Sequence, residues 1–263
     1  MKINKVKLYV NNDLKSLEVS KKLQEELSKY HFEITDNNYE LAISIGGDGS
    51  FLKMVRENNF NDKIFYIGVN SGTLGFLQEI DIKDTINFVK RLHDEDYKIE
   101  ELSFEENIIY TNNYEYKYHS LNEIVIRKSD FSIFKSNIFI DNELLENFSG
   151  DGLLVSTSTG STAYNMSFNG PIVYNSLDTL VLTPIAPLNN KVYSPLTNPL
   201  IVPSDKEIII VPHDQKLFLM IDGNIKELDN ISKIKVKTSS KKIKCLRMND
   251  FHFIRVIRNK IIK

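Results

Sequence analysis

The chain has 263 residues, 41% hydrophobic and 26% charged, an ordinary soluble globular balance and enough length for one large domain or two small ones. Thirty-three Lys and Arg against 35 Asp and Glu leave a net charge of −2, which argues against broad electrostatic capture of nucleic acid or of an anionic membrane. No apolar run approaches the roughly 20 residues that span a bilayer, residues 1–10 lack the apolar stretch of a secretory signal, and a single cysteine, Cys245, excludes an intrachain disulfide and points to a reducing, cytoplasmic compartment. The histidines are scattered and form no cluster with cysteine, so structural zinc is not expected.

Strand and helix signals alternate through the first hundred residues. Residues 7–10 are β-prone, and residues 14–30 carry Leu14, Leu17, Leu23 and Leu27 at helix-compatible spacing. Residues 40–45 form an apolar strand that ends in Gly46-Gly47-Asp48-Gly49-Ser50, and residues 51–58 read as a helix. Residues 64–69 form another strand, followed by the glycine-bearing loop 71–75, and residues 84–93 read as a helix. Nearly continuous apolar strands alternating with helices predict a buried parallel sheet, with ligands at the carboxyl ends of its strands.

Beyond Leu102 the rhythm changes. Asn112-Asn113 separates two β-prone runs, as a hairpin turn would. Short apolar runs follow at 124–126, 138–140, 153–155, 180–182, 208–211, 217–221 and 234–236, most of them separated by turn residues. This predicts an all-β, sandwich-like second domain. The expected division is an α/β domain over 1–100 and a β-rich domain over 101–247, with the basic, apolar tail 248–263 packing back on the first.

Two segments carry candidate chemistry. In the Gly46–Gly49 loop, glycines let a ligand approach the backbone, and free N–H groups at a helix start favour an anion. The loop matches neither the P-loop nor the dinucleotide fingerprint. Its Asp48 would be repelled by a phosphate unless it accepts a proton from an attacking hydroxyl; the plain alternative is a helix cap. Lys53, within about the first helical turn, where the macrodipole disfavours a cation, is either a phosphate partner or a solvated lysine. Phe76, after the second loop, is either a stacking ring or core. The second segment is Ser156-Thr157-Ser158-Thr159-Gly160-Ser161, in which five of six residues carry hydroxyls and the other is glycine, followed by Thr162-Ala163-Tyr164. It offers many donors and acceptors with little bulk, suited to sugar and phosphate groups, with Tyr164 as a ring to stack; a helix-capping turn is the alternative. Asn122-Glu123 opens a strand and is an amide–carboxylate pair that suits ribose or a base edge, or a solvated pair.

In their order and spacing, the Gly46–Gly49 loop, Asn122-Glu123 and the run from Asp151-Gly152-Leu153 through Gly160-Ser161-Thr162-Ala163-Tyr164 resemble the bacterial-type NAD kinase family. The resemblance covers nearly the whole chain. It implies phosphorylation of the adenosine 2′-hydroxyl of NAD to NADP, dependent on ATP and on Mg2+ or another divalent cation, with Asp48 as general base. Gly46, Gly47 and Gly49 would hold phosphates with Lys53 beside them. Phe76, Asn122, Thr162 and Tyr164 would surround the adenosine, and Asp151, Ala163 and Ser167 would face the nicotinamide end. Glu123 would contact ribose or base, Ala186 would line the site, and Asp222-Gly223-Asn224 matches a site loop whose last residue is often glutamine, with Asn224 lining the site. The family implies a homodimer or homotetramer, and inorganic polyphosphate stands beside ATP as a donor. Ser158, where the family commonly has proline, is expected to loosen its turn. The competing readings are a lipid kinase of the diacylglycerol or sphingosine type, whose glycine loop is similar, and a non-catalytic NAD-binding sensor.

Overall fold

The computed structural model describes residues 2–262 except 73–74, 131, 190–193, 215 and 249–251. Thr73 and Leu74 of the second glycine loop, and Phe251 and Lys263 of the tail, lie outside the described residues. The chain divides into two compact units, residues 1–102 with 242–263, and residues 103–241.

The first unit begins β1 (Lys5–Val10), α1 (Leu14–Lys29), β2 (Glu33–Ile34), β3 (Leu41–Gly46), α2 (Asp48–Glu57), β4 (Phe65–Asn70), β5 (Ile80–Asp81) and α3 (Thr85–His93). The strands pair in parallel in the order β2-β1-β3-β4, with β5 added beside β4. β3 and β4 are buried along their whole length, as strands covered on both faces must be. On one face Val19, Leu23 and Leu27 of α1 and Phe88, Val89 and Leu92 of α3 share a core with Leu41, Ile43 and Ile45 of β3. Residues 42 and 44 point the other way, and α2 buries Phe51, Met54 and Val55 outside that core. α1 starts where it does because Asp13 accepts from the Ser16 amide at 2.9 Å. The helix expected over 84–93 opens with a 3-10 turn, Ile82–Asp84, capped by Asp81, before α3 begins at Thr85.

The chain continues through β6 (Tyr97–Thr111), β7 (Glu115–Ser120), β8 (Glu123–Lys128), β9 (Phe134–Ile140), β10 (Glu143–Gly150), β11 (Gly152–Thr157), β12 (Thr179–Ile185), β13 (Leu200–Pro203), β14 (Glu207–Pro212), β15 (Leu217–Ile221), β16 (Asn224–Leu228) and β17 (Ile231–Met248) to α4 (Phe253–Lys260). In the second unit one antiparallel sheet runs β13-β12-β11-β8-β15-β16. Another pairs β10, β9, β14 and the first part of β17, all antiparallel. Both contribute to one core: Ile124, Leu153, Val155, Leu180 and Leu219 from the first, Phe134, Ile138, Ile208, Ile210 and Ile234 from the second. This is the sandwich-like arrangement the strand spacing predicts. β6 and β7 form the hairpin expected at Asn112-Asn113, closed by the Thr111 amide on the Tyr114 carbonyl at 2.9 Å.

The last part of β17 belongs to the first unit. Lys244 and Cys245 pair in parallel with Phe65 and Tyr66. Arg247 is buried there, 2.6 Å from Glu100 and 3.2 Å from Glu79. Cys245 is a free, buried thiol. No helix among the described residues is long and apolar enough to cross a membrane.

Candidate functional site

The first set of site residues lies where β3 hands over to α2. Gly46 is glycine because a Cβ there would fall 2.2 Å from the Ser50 hydroxyl oxygen and 3.1 Å from Asn11 Cβ. Gly47 is the N-cap of α2, with no side chain to cap it; Gly47 and Gly49 are exposed, and a Cβ at either would meet nothing. The open positions are those at which a ligand could approach the backbone. Gln78 fixes the turn, donating from Nε2 to the Gly47 carbonyl at 2.6 Å.

Asp48 is the first residue of α2, yet its carboxylate does not cap that helix. It reaches across to the second glycine loop and accepts from the backbone amides of Phe76 at 2.7 Å and Leu77 at 3.0 Å. The approach needs glycine at 75, where a Cβ would lie 1.8 Å from Asp48 Oδ1. The cap alternative raised by the sequence is therefore replaced by a carboxylate pinned between two loops. Phe76 is half-buried and carries the Lys260 ammonium 4.6 Å from its ring centroid, a cation–π contact from α4. Burial pushes the Lys260 ammonium below its usual range, and the charge of Asp48 opposes that push.

Lys53 sits farther along α2 than the sequence reading placed it. It is in the second turn, where the helix dipole has largely decayed, and is exposed 3.8 Å from Glu57. It lines a cavity of about 300 Å3 together with Lys7, Asn11, Asn12 and Ser50, beside the carboxyl end of β1.

The second set surrounds the start of β8. Asn122 and Glu123 are buried, and Glu123 Oε2 has no hydrogen-bond partner. Burial, reinforced by the nearby charge of Asp222 and eased by the Tyr164 backbone amide, pushes the Glu123 carboxyl up to about 8. The hydroxyl-rich segment forms two 3-10 turns, Thr159–Thr162 and Tyr164–Phe168, joined at Ala163, whose amide donates to the Gly160 carbonyl at 2.9 Å. Thr162 Oγ1 is 3.4 Å from the Thr159 carbonyl. Tyr164 is exposed and packs edge-on against Phe168 at 4.9 Å. Ser167 is exposed on the same turn.

The turn at Ser158 is not left loose. Its φ of −57° is the value a proline ring would fix, and its hydroxyl donates to the Leu177 carbonyl and lies 3.1 Å from Thr179 Oγ1. Asp151 is exposed, 3.8 Å from Arg127. Ala186 is exposed and adopts a left-handed φ of 43°, uncommon for alanine. Asn224 spends its amide on its own turn, donating to the Ile221 and Asp222 carbonyls at 3.2 and 3.1 Å.

Three residues given no role by the sequence support these geometries: Gln78 at the Gly47 carbonyl, Gly75 under the Asp48 carboxylate, and Asp222 at the amides preceding β8. Asp222 lies in the Asp222-Gly223-Asn224 stretch that the resemblance matches to a site loop, but its bonds to the amides of residues 121–123 leave no local signal. The partners of Gln78 and Gly75 are distant in sequence and left no local signal.

A parallel α/β unit with glycine turns at its strand ends, joined in one chain to an antiparallel β unit with a hydroxyl-rich turn, defines a class of two-unit nucleotide-binding fold. The ATP-NAD kinase N-terminal domain model matches residues 3–97, and the ATP-NAD kinase C-terminal domain model matches residues 121–248. An NAD kinase of Finegoldia magna is 36% identical over 262 residues, covering 95% of this chain and 96% of that protein. One from Leuconostoc mesenteroides is 31% identical, covering 98% of each. The fold is also that of yeast NADH kinase, solved with NADH, at a TM-score of 0.83 and 23% identity, covering 100% of this chain and 88% of that one. The NAD kinase of Archaeoglobus fulgidus, solved with ATP, superposes at 0.74 with 20% identity, covering 97% and 96%. The chain belongs to the NAD kinase family.

Proposed function

We propose that this chain is an ATP- and Mg2+-dependent NAD kinase that phosphorylates the adenosine 2′-hydroxyl of NAD to give NADP. The observation that carries the reading is the Asp48 carboxylate. It is half-buried at a helix N-terminus and fixed by two backbone amides, which leaves lone pairs for a hydroxyl proton. Asp48 takes the 2′-hydroxyl proton as that oxygen attacks the γ-phosphorus in line; the bond to the β–γ bridging oxygen breaks and ADP leaves. In-line positioning and charge neutralisation supply most of the acceleration.

The other roles follow from the family's motifs. Gly46, Gly47 and Gly49 offer backbone N–H groups to phosphates, with Lys53 nearby. Phe76, Asn122, Thr162 and Tyr164 surround the adenosine; Glu123 meets ribose or base; Asp151, Ala163 and Ser167 face the nicotinamide end; Ala186 and Asn224 line the remainder. Among the described residues no cluster of three or more His, Cys, Asp or Glu could cage a metal. The divalent cation that the family implies would arrive with the donor's phosphates and would supply charge neutralisation there. The phosphate chemistry is assigned to the first unit, residues 1–102 with 242–263, and most of the NAD contacts to the second, residues 103–241, and the assembly is the homodimer or homotetramer that the family implies.

The test is a coupled assay with NAD, ATP and Mg2+, read by an NADP-specific dehydrogenase. Asp48→Asn keeps its NAD affinity in calorimetry and loses about 10²- to 10⁴-fold in turnover, the general-base range. A folded variant that retains more than half of wild-type turnover removes Asp48 from that role. Wild-type protein that binds NAD but forms no NADP with ATP or with polyphosphate indicates a sensor.

A further inference from the structure

The residues that precede β8 are held from two sides. Asp222, in the turn between β15 and β16, accepts from the Leu121 amide at 2.7 Å, the Asn122 amide at 2.8 Å and the Glu123 amide at 3.3 Å. Its own amide donates to the Glu123 carbonyl at 3.1 Å. From the other side Thr157, at the end of β11, donates its hydroxyl to the Leu121 carbonyl at 2.6 Å and its amide to the Asn122 carbonyl at 2.9 Å. Every backbone donor and acceptor of residues 121–123 is thus committed to Asp222 or Thr157, while Glu123 Oε2 remains without a partner in a residue only 5% exposed.

The choice of aspartate at 222 is informative. Residues 222 and 223 both have positive φ, 45° and 75°, a hairpin turn that Asn-Gly would make as well as Asp-Gly. An asparagine has one carbonyl oxygen to offer three amides; a carboxylate has two. Asp222 also stands close enough to Glu105 and Glu123 to repel both electrostatically. A third acid in that surrounding is unfavourable unless the amides need its charge. Thr157 is chosen on similar grounds: its Oγ1 also accepts from the Gly160 amide at 3.0 Å, which ties the hydroxyl-rich turn to the same clamp.

We infer that Asp222 and Thr157 are positioning residues that set the Asn122 and Glu123 side chains for the adenosine of NAD, an inference that rests on the adenosine role proposed above for those two side chains. Neither is assigned a contact with the reacting atoms. Their effect appears as affinity for one substrate, NAD, and leaves the other untouched.

The test is steady-state kinetics of the full chain, with NAD and ATP varied separately, on wild type, Asp222→Asn, Thr157→Val and Thr157→Ser. Melting temperatures are recorded beside them, and NAD calorimetry is done on wild type. Asp222→Asn and Thr157→Val raise the KM for NAD about 10- to 100-fold, the value of one or two lost charge-assisted or buried hydrogen bonds, with the KM for ATP within about twofold of wild type. Thr157→Ser, which keeps the hydroxyl, restores the KM for NAD. If Asp222→Asn does not fold, the Thr157 pair decides. A fall in kcat at unchanged KM for NAD overturns the inference by placing Asp222 in the chemistry. Lowered melting temperatures with both KM values unchanged overturn it as mere scaffolding. Wild-type protein that does not bind NAD overturns the adenosine reading itself, which is a different failure from variants that bind NAD as wild type does.

Discussion

At the scale of single residues, the arrangement turns on small groups that make room for larger ones. Gly75 has no contact of its own to offer; its value is the space a side chain would take from the Asp48 carboxylate, 1.8 Å from the Cβ position. Gly75→Ala therefore forces Asp48 off the Phe76 and Leu77 amides, and the expected result is a loss of about tenfold or more in turnover at little cost in global stability. Turnover within twofold of wild type in a folded Gly75→Ala protein means that the carboxylate works from another position. Asp48 itself was legible, because a carboxylate among phosphate-friendly glycines needs a reason. Its amide partners were not, since a backbone N–H 28 residues away leaves no trace in side-chain pattern. Lys53 illustrates the opposite error: sequence placed it near the helix dipole, and the early start of α2 at Asp48 moved it a turn away.

At the scale of elements, the parallel strands and their glycine loops were readable from continuous apolar runs, and β3 and β4 are buried throughout as such runs require. β10 was not anticipated. Its start, the exposed Glu143-Leu144-Leu145 and the half-buried Glu146, has no alternation to betray it, although Asp141-Asn142, with φ of 50° and 78°, is the turn that pairs it with β9. The long β17 was seen only in part, because lysines punctuate it. The hydroxyl-rich segment is built as two 3-10 turns wedged against the start of β8, and Gly160 is the wedge: a Cβ there would lie 2.0 Å from the Asn122 carbonyl oxygen. Backbone does not yield as a side-chain tip does, so Gly160→Ala is expected to cost about 1–3 kcal/mol in overpacking. It also weakens NAD binding by displacing Asn122. Thermal melts with calorimetry check both, and loss of stability without loss of affinity separates the wedge from the site.

At the scale of the whole molecule, the second unit holds acids where they cannot ionise cheaply. Glu105 is fully buried, and burial, with repulsion from Asp222 and Glu123, pushes its carboxyl well above the usual range despite the Ser120 hydroxyl bond at 2.5 Å. Glu105 Oε1 and Asn107 Oδ1 are both buried acceptors without a partner, and a carboxylic acid proton supplies one of the missing donors. Glu123 rises to about 8 for the same first reason, burial. In the unfolded chain both titrate near about 4.3. Between that value and the folded one the native state binds more protons than the unfolded state, so stability falls as pH rises through the window. Asp13, lowered by its hydrogen bonds to Ser16, and Asp141, lowered by its hydrogen bond to Lys206, work the other way: their contribution is present above about 3.9 and fades as pH falls through their folded values. His119, pushed down by burial, opposes the acids only below its unfolded value near about 6.5. Urea denaturation from about pH 4.5 to 8.5 isolates the buried acids if wild type is compared with Glu123→Gln and Glu105→Gln. The wild-type minus variant difference falls steadily toward alkaline pH, most of it for Glu123 complete by about pH 8. A difference that is flat or rises across the window means that both carboxyls are already ionised in the native state, held by donors that this arrangement of Ser120, Asn107 and the Tyr164 amide does not supply.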